Sequence, residues 1–150
     1  MTLRQLGGPM ELKMNRAELA AFLDAQFPQV ADDFEVADVA PMQITMRKRV
    51  AEKHLRPGGT VSGPTMFALA DVSVYLAILA MIGPKALAVT TNCSIDFMRK
   101  PRSDADLVAH CRLHKLGRVL AVGDVLIHSE GDDAPVARAT LTYSIPPERA

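Results

Sequence analysis

The sequence predicts an α+β protein in which one long helix lies against a strongly curled antiparallel sheet. Three observations carry this. The stretch from Thr65 to Ile82, TMFALADVSVYLAILAMI, would be apolar on every side of a helix and holds a single charge. Segments after it alternate polar and apolar residues at the period of a strand and are joined by short connections, which demands antiparallel neighbours. Two more alternating segments precede it. A helix apolar all round must be enclosed all round, so either the sheet curls about it or a second copy of the chain covers its far side.

The elements follow in order. Asn15 is placed to cap a first helix over Arg16 to Gln26, where Leu19, Phe22 and Leu23 make an apolar stripe and Pro28 ends the run. Phe34 to Ala40 and Met42 to Ala51 read as strands. The second sets Met42, Ile44, Met46, Lys48 and Val50 opposite Gln43, Thr45, Arg47 and Arg49. Pro57-Gly58-Gly59 supplies backbone freedom in the loop that follows. Ser62 or Gly63 caps the long helix, Pro64 sits where the first turn tolerates a missing N–H, and Gly83-Pro84 stops it. Strands then run over Ala88 to Met98, Ala105 to Leu116, Val119 to Ser129 and Val136 to Ile145. In the first of these Val89, Thr91, Cys93, Ile95 and Phe97 share a face; in the last Ala137, Ala139, Leu141, Tyr143 and Ile145 do.

The 150 residues are one domain's worth, residues 1–150 with a core over about 30–145, and are long enough to bury a real core. Seventeen basic residues balance seventeen acidic ones, which argues against nucleic acid as a partner and leaves any anionic ligand to a local cluster of Lys and Arg. A chain so close to zero net charge is prone to associate. Cys93 and Cys111 lack CxxC spacing and read as reduced core residues. The opening MTLRQLGGPMELK lacks the apolar stretch of a signal peptide, so a cytoplasmic location is expected. The Thr65–Ile82 run only just reaches the length of a membrane span and carries Asp71 near its middle, so it is read as a core helix.

The order of two strands, one helix and four strands resembles the hot-dog fold, a curled antiparallel sheet wrapped around a central helix. The stretch Arg56 to Asp71, RPGGTVSGPTMFALAD, resembles the signature of the PaaI-like (phenylacetate-degradation type) acyl-CoA thioesterases. Those proteins commonly carry Asn-x-x-Gly-x-x-His-Gly-Gly and then an apolar run ending Leu-Ala-Asp. The next strand and its basic exit, TTNCSIDFMRKP, are similar too. Ser62 stands where the family usually has His, Pro64 stands for the second Gly and Arg56 for the Asn. The resemblance implies hydrolysis of acyl-CoA thioesters by a homodimer or a dimer of dimers, with coenzyme A as part of the substrate and no separate cofactor.

Thioester hydrolysis needs donors for the developing oxyanion and a carboxylate to activate water or to attack. The helix start offers donors: Gly63 presents an unobstructed N–H, Thr65 is a second candidate, and Ser62 either adds a contact or simply caps the helix. Asp71 among Phe67, Ala68, Leu69, Ala70, Val72 and Val74 is costly unless paired, which marks a functional site or a carboxylate held by backbone or by Arg47 or Arg49. Gly63 and Asp71 lie eight residues apart, a helical rise of about 12 Å, so they cannot serve one carbonyl from one helix. If both act, each site joins two subunits.

Arg99, Lys100 and Arg102, with Arg118 at a hairpin tip, are candidate contacts for the phosphates of coenzyme A, or ordinary solvated charges. Thr90, Thr91 and Asn92 line the pocket or satisfy the sheet surface. Met66 adapts the acyl site, and Tyr75 closes that pocket or meets the partner helix. No histidine spacing suggests a metal site. Two other readings stay open: a hot-dog hydratase or dehydratase, disfavoured by the lack of a His near Asp71, and a non-catalytic acyl-CoA sensor.

Overall fold

The computed structural model describes residues 11–29, 31–84 and 88–147. The first helix, α1, spans Arg16–Gln26. Asn15 accepts from the Glu18 N–H at 2.8 Å while the Glu18 carboxylate accepts from the Asn15 N–H at 3.0 Å, a reciprocal cap that fixes where the helix begins. Leu19 and Leu23 bury its apolar stripe. Strands β1 (Phe34–Ala40) and β2 (Gln43–Lys48) form a hairpin whose turn holds Met42 in the left-handed region, at φ 64°.

Strand β2 stops three residues before the sequence expectation. The Arg49 N–H donates to the Asp33 carbonyl and the Val50 N–H to the Asp106 carboxylate, so neither joins the ladder. Lys48 lies on the inner face with Ile44 and Met46, its ammonium 4.3 Å from the Phe34 ring centroid and 3.5 Å from Asp33. Burial lowers the Lys48 pKa and the Asp33 charge opposes that shift.

Helix α2 spans Gly63–Ile82, with Ser62 as its cap and Gly83 at its end. Strands β3 (Val89–Phe97), β4 (Leu107–Leu116), β5 (Leu120–Ser129) and β6 (Ala137–Ser144) complete one sheet in the order β1-β2-β4-β5-β6-β3. Every neighbouring pair is antiparallel. The sheet curls around α2, and this is the hot-dog fold. By length and composition α2 could cross a membrane, but 67% of its apolar window is buried within the chain.

Enclosure of α2 is uneven. From Ser73 to Met81 every residue is buried, and the Ser73 hydroxyl satisfies itself on the Leu69 carbonyl at 2.7 Å. In the first half Pro64 and Phe67 are exposed, and Ala68, Asp71 and Val72 are only half-buried. The same side of the molecule carries β3, an outer edge of the sheet paired only with β6.

Strand β3 departs from simple alternation. Thr90 lies opposite Tyr143 and Asn92 opposite Thr142, so Thr91 is the extra residue of a bulge. The insertion resets the phase. Thr90, Cys93 and Ile95 are half-buried, whereas Thr91 is exposed and its hydroxyl donates to the Thr142 carbonyl at 3.3 Å.

Candidate active site

Asp71 sits on the incompletely covered side of α2, opposite the end of the sheet where β3 begins. Its Oδ1 accepts two hydrogen bonds, from the Thr90 hydroxyl at 2.5 Å and from the Tyr143 phenol at 2.7 Å. The same phenol lies 3.1 Å from the Asp71 carbonyl. Neither arginine considered from the sequence is its partner. Arg47 meets Glu35 and Glu130, and Arg49 meets Glu35 and the Asp32 carbonyl. Both donors come from the sheet, Thr90 through the β3 bulge and Tyr143 through the inner face of β6.

On its sheet-facing side Asp71 meets an aromatic cluster. Tyr75 is buried one turn further along α2 and stacks on Tyr143 at 6.1 Å between centroids. Phe22 and Phe27 pack on its other sides at 6.2 and 6.0 Å. Tyr75 is thus packed among aromatic rings of its own chain. Burial, reinforced by the Asp71 charge, pushes the Tyr143 phenol well above its ordinary pKa, so it remains a proton donor. The half-buried Cys93 thiol is raised by burial and then by Asp71.

The helix start forms the second cluster. Ser62 Oγ accepts from the Thr65 N–H at 3.3 Å and lies 2.7 Å from the Thr65 hydroxyl. That cap removes the Thr65 N–H as an oxyanion donor. Pro64 has no N–H, and the Gly63 N–H meets no acceptor among the described residues. Phe97, at the end of β3, covers Gly63 so closely that a Cβ there would stand 3.3 Å from its ring.

A hollow of about 520 Å³ opens beside this helix start, lined among others by Gly63, Met66, Phe97, Arg56, Arg99 and Lys100. Three cations and the free N–H therefore share one cleft. Arg99 is steadied by its guanidinium bond to the Pro135 carbonyl at 2.7 Å. Arg102 is engaged with Asp104 at 3.0 and 3.1 Å, and Arg118, exposed on the β4–β5 turn, does not line the hollow. Asn92 is exposed, away from Asp71. Among the described residues, no group of three or more His, Cys, Asp or Glu side chains is placed to hold a metal ion.

Sequence reasoning missed Tyr143. Its signal was present: a tyrosine among Ala139, Leu141 and Ile145 on an inward face brings a hydroxyl that must find a partner when buried. Thr90 was named, but without the bulge that turns it inward.

The curled sheet about one core helix defines the class, hot-dog proteins. The family match makes it specific. Residues 58–136 match the Thioesterase superfamily, and the chain belongs to that family. It is 32% identical over 107 residues to a "putative esterase" of Pseudomonas aeruginosa, covering 71% of this chain and 78% of that one. The crystal structure of a "putative thioesterase" from Silicibacter sp. TM1040 superposes with a TM-score of 0.87 at 62% identity, covering 92% of this chain and 96% of the other. A point mutant of the phenylacetic acid degradation protein PaaI from Thermus thermophilus gives a TM-score of 0.68 at 28% identity, with 79% and 99% covered. Family membership supports a hydrolase of the thioesterase and esterase kind.

Proposed function

We propose that the protein is a cytoplasmic homo-oligomeric hydrolase of acyl-CoA thioesters, with Asp71 as its general base and Gly63 of the partner subunit as oxyanion donor. The observation that carries this reading is the Asp71 carboxylate, held by Thr90 and Tyr143 on a face of α2 that the described residues leave partly open.

The positions of the two clusters along β3 support a dimer. Asp71 is beside Thr90 at the start of this edge strand, and Gly63 is beside Phe97 at its end. Two β3 edges pairing antiparallel about their middle would lay Thr90 of one chain alongside Phe97 of the partner subunit. Each Asp71 would then face the helix start of its neighbour. Such pairing also satisfies the open N–H and C=O groups of the edge and covers the exposed Phe67, Val89 and Phe97.

In the reaction, Asp71 takes a proton from water as the water oxygen bonds to the thioester carbonyl carbon. The Gly63 N–H, at the positive end of the partner's α2, stabilises the resulting oxyanion. Collapse breaks the C–S bond, and the sulfur leaves with the proton that Asp71 returns. Arg56, Arg99 and Lys100 would meet the phosphates of coenzyme A at the cleft beside Gly63. Met66 and Phe97 would flank the pantetheine arm.

Thiol release from a panel of acyl-CoAs tests this directly. The parent protein should liberate coenzyme A, and Asp71→Asn should lower kcat by about 10²–10⁴-fold while keeping the fold. A hydratase would alter the acyl chain without releasing thiol, and a sensor would do neither. Asp71→Asn with parental turnover would remove Asp71 from the reaction.

A further inference from the structure

We infer that Tyr143 is a positioning residue for this hydrolysis, one that assigns different tasks to the two oxygens of Asp71. The inference rests on Asp71 being the base and adds how the carboxylate is aimed.

A carboxylate on a helix turns about two single bonds, and either oxygen can act unless something distinguishes them. Here the distinction is built in. Thr90 and Tyr143 both donate to Oδ1, at 2.5 and 2.7 Å, while Oδ2 receives no hydrogen bond from the described residues. Two short charge-assisted bonds on one oxygen fix the plane of the group and occupy that oxygen's lone pairs. The unoccupied Oδ2 is then the atom that takes the proton from water.

Tyr143 is suited to hold rather than to react. Its ring is buried, stacks on Tyr75 and has little freedom to swing away. Its one hydroxyl proton goes to the carboxylate at 2.7 Å, and its oxygen also lies 3.1 Å from the backbone carbonyl of the same residue, so the donor sits close against the helix itself. The phenol also stays protonated across the working range because burial and the adjacent negative charge both oppose its ionisation. A donor that cannot lose its proton will not compete with Asp71 for the proton of water. Thr90 reaches the same oxygen from a separate strand, so the two hydroxyls converge from β3 and β6.

The decisive comparison is kcat against KM in Tyr143→Phe, Thr90→Val and the double variant, with Asp71→Asn alongside. Tyr143→Phe keeps the stacked ring and removes only the donor, so its unfolding temperature should stay near the parent's. Its kcat should fall on the order of 10- to 100-fold, the cost of a misaimed reacting group. KM should stay within about twofold, because substrate binding is untouched. Thr90→Val should act in the same direction, and the double variant should lose less than the product of the two, since both bonds serve one orientation. Tyr143→Leu is a second donorless variant if the Phe form proves unstable. Parental kcat in Tyr143→Phe, a loss confined to KM, or fully multiplicative losses would each overturn the inference. Residual turnover in Asp71→Asn at the parental level would instead overturn the reading beneath it.

Discussion

The two halves of α2 differ in composition and meet different fates. From Ser73 to Met81 the chain's own sheet encloses every side chain, and the Ser73 hydroxyl is satisfied on the preceding turn. From Gly63 to Val72 the helix interleaves Gly63, Pro64, Thr65 and Asp71 with apolar residues, Pro64 and Phe67 are exposed, and Asp71 is partly open. One half is a core element. The other carries Gly63 and Asp71, the two groups proposed for the reaction, and it lies beside the edge strand β3. An apolar surface next to a strand edge suits contact with a second chain, which is why the proposed site is drawn between two subunits.

Substitutions that separate the halves sharpen this contrast. The largest loss of stability should come from the enclosed half. Leu76→Ala should cost about 2–5 kcal/mol, because Leu76 is fully buried and its neighbours can collapse only in part, and chemical denaturation would measure it. In the open half Phe67→Ala should change intrinsic stability by only about 0.5 kcal/mol. It should weaken self-association at least about tenfold, with activity falling in parallel as protein is diluted, which sedimentation and dilution assays would show. If Phe67→Ala lowered stability as much as Leu76→Ala and left association unchanged, the two halves would not differ in kind.

The smallest effect belongs to neither half. On the outer face of the sheet His110 and His128 stack, with their Nε2 atoms 2.9 Å apart. His128 Nδ1 lies 2.9 Å from the Ser129 carbonyl and so carries its proton there, leaving His128 Nε2 to accept from His110 Nε2–H. Burial and then the neighbouring His128 hold the His110 pKa below its ordinary 6.5. A depressed histidine pKa means the folded state resists protonation. Its stability is therefore fully present above about pH 6.5 and declines as pH falls below that value. Thermal unfolding across pH 5–7.5 should show this decline in the parent and a shallower one in His110→Asn. The ratio of kcat/KM to the parent's should stay level through the same substitution, since neither half of α2 is touched.

Much of this architecture was legible in the sequence because its signals are local. The Asn15…Glu18 cap, the Ser62-Gly63-Pro64 helix start and the Gly83-Pro84 stop fix the helices through bonds that span a few residues. Alternation fixed the strands for the same reason. What could not be read is long-range. The bulge at Thr91 depends on how β3 pairs with β6, so alternation alone grouped Thr91, and not Thr90, with Cys93 and Ile95. Tyr143 and Asp71 are 72 residues apart and meet only because β6 runs beneath α2. The clustering of Arg99 and Lys100 with Arg56, and not with Arg118, likewise depends on which loops the curled sheet brings together. Candidate residue types were visible early; their partnerships were not.

The central claim is that each active site draws its carboxylate from one chain and its oxyanion donor from the other. Two defective variants mixed in one preparation test it. Asp71→Asn removes the base, and Gly63→Pro removes the N–H at the first helical position, where the Phe97 ring 3.3 Å from the added Cβ must give way, so an unfolding temperature near the parent's is the control for that variant. Each variant alone should be nearly inactive. When the two are unfolded and refolded together, mixed dimers should contain one intact site each and restore about one quarter of parental thiol release. Refolded mixtures no more active than the separate variants, despite demonstrated mixed dimers, would contradict the shared site.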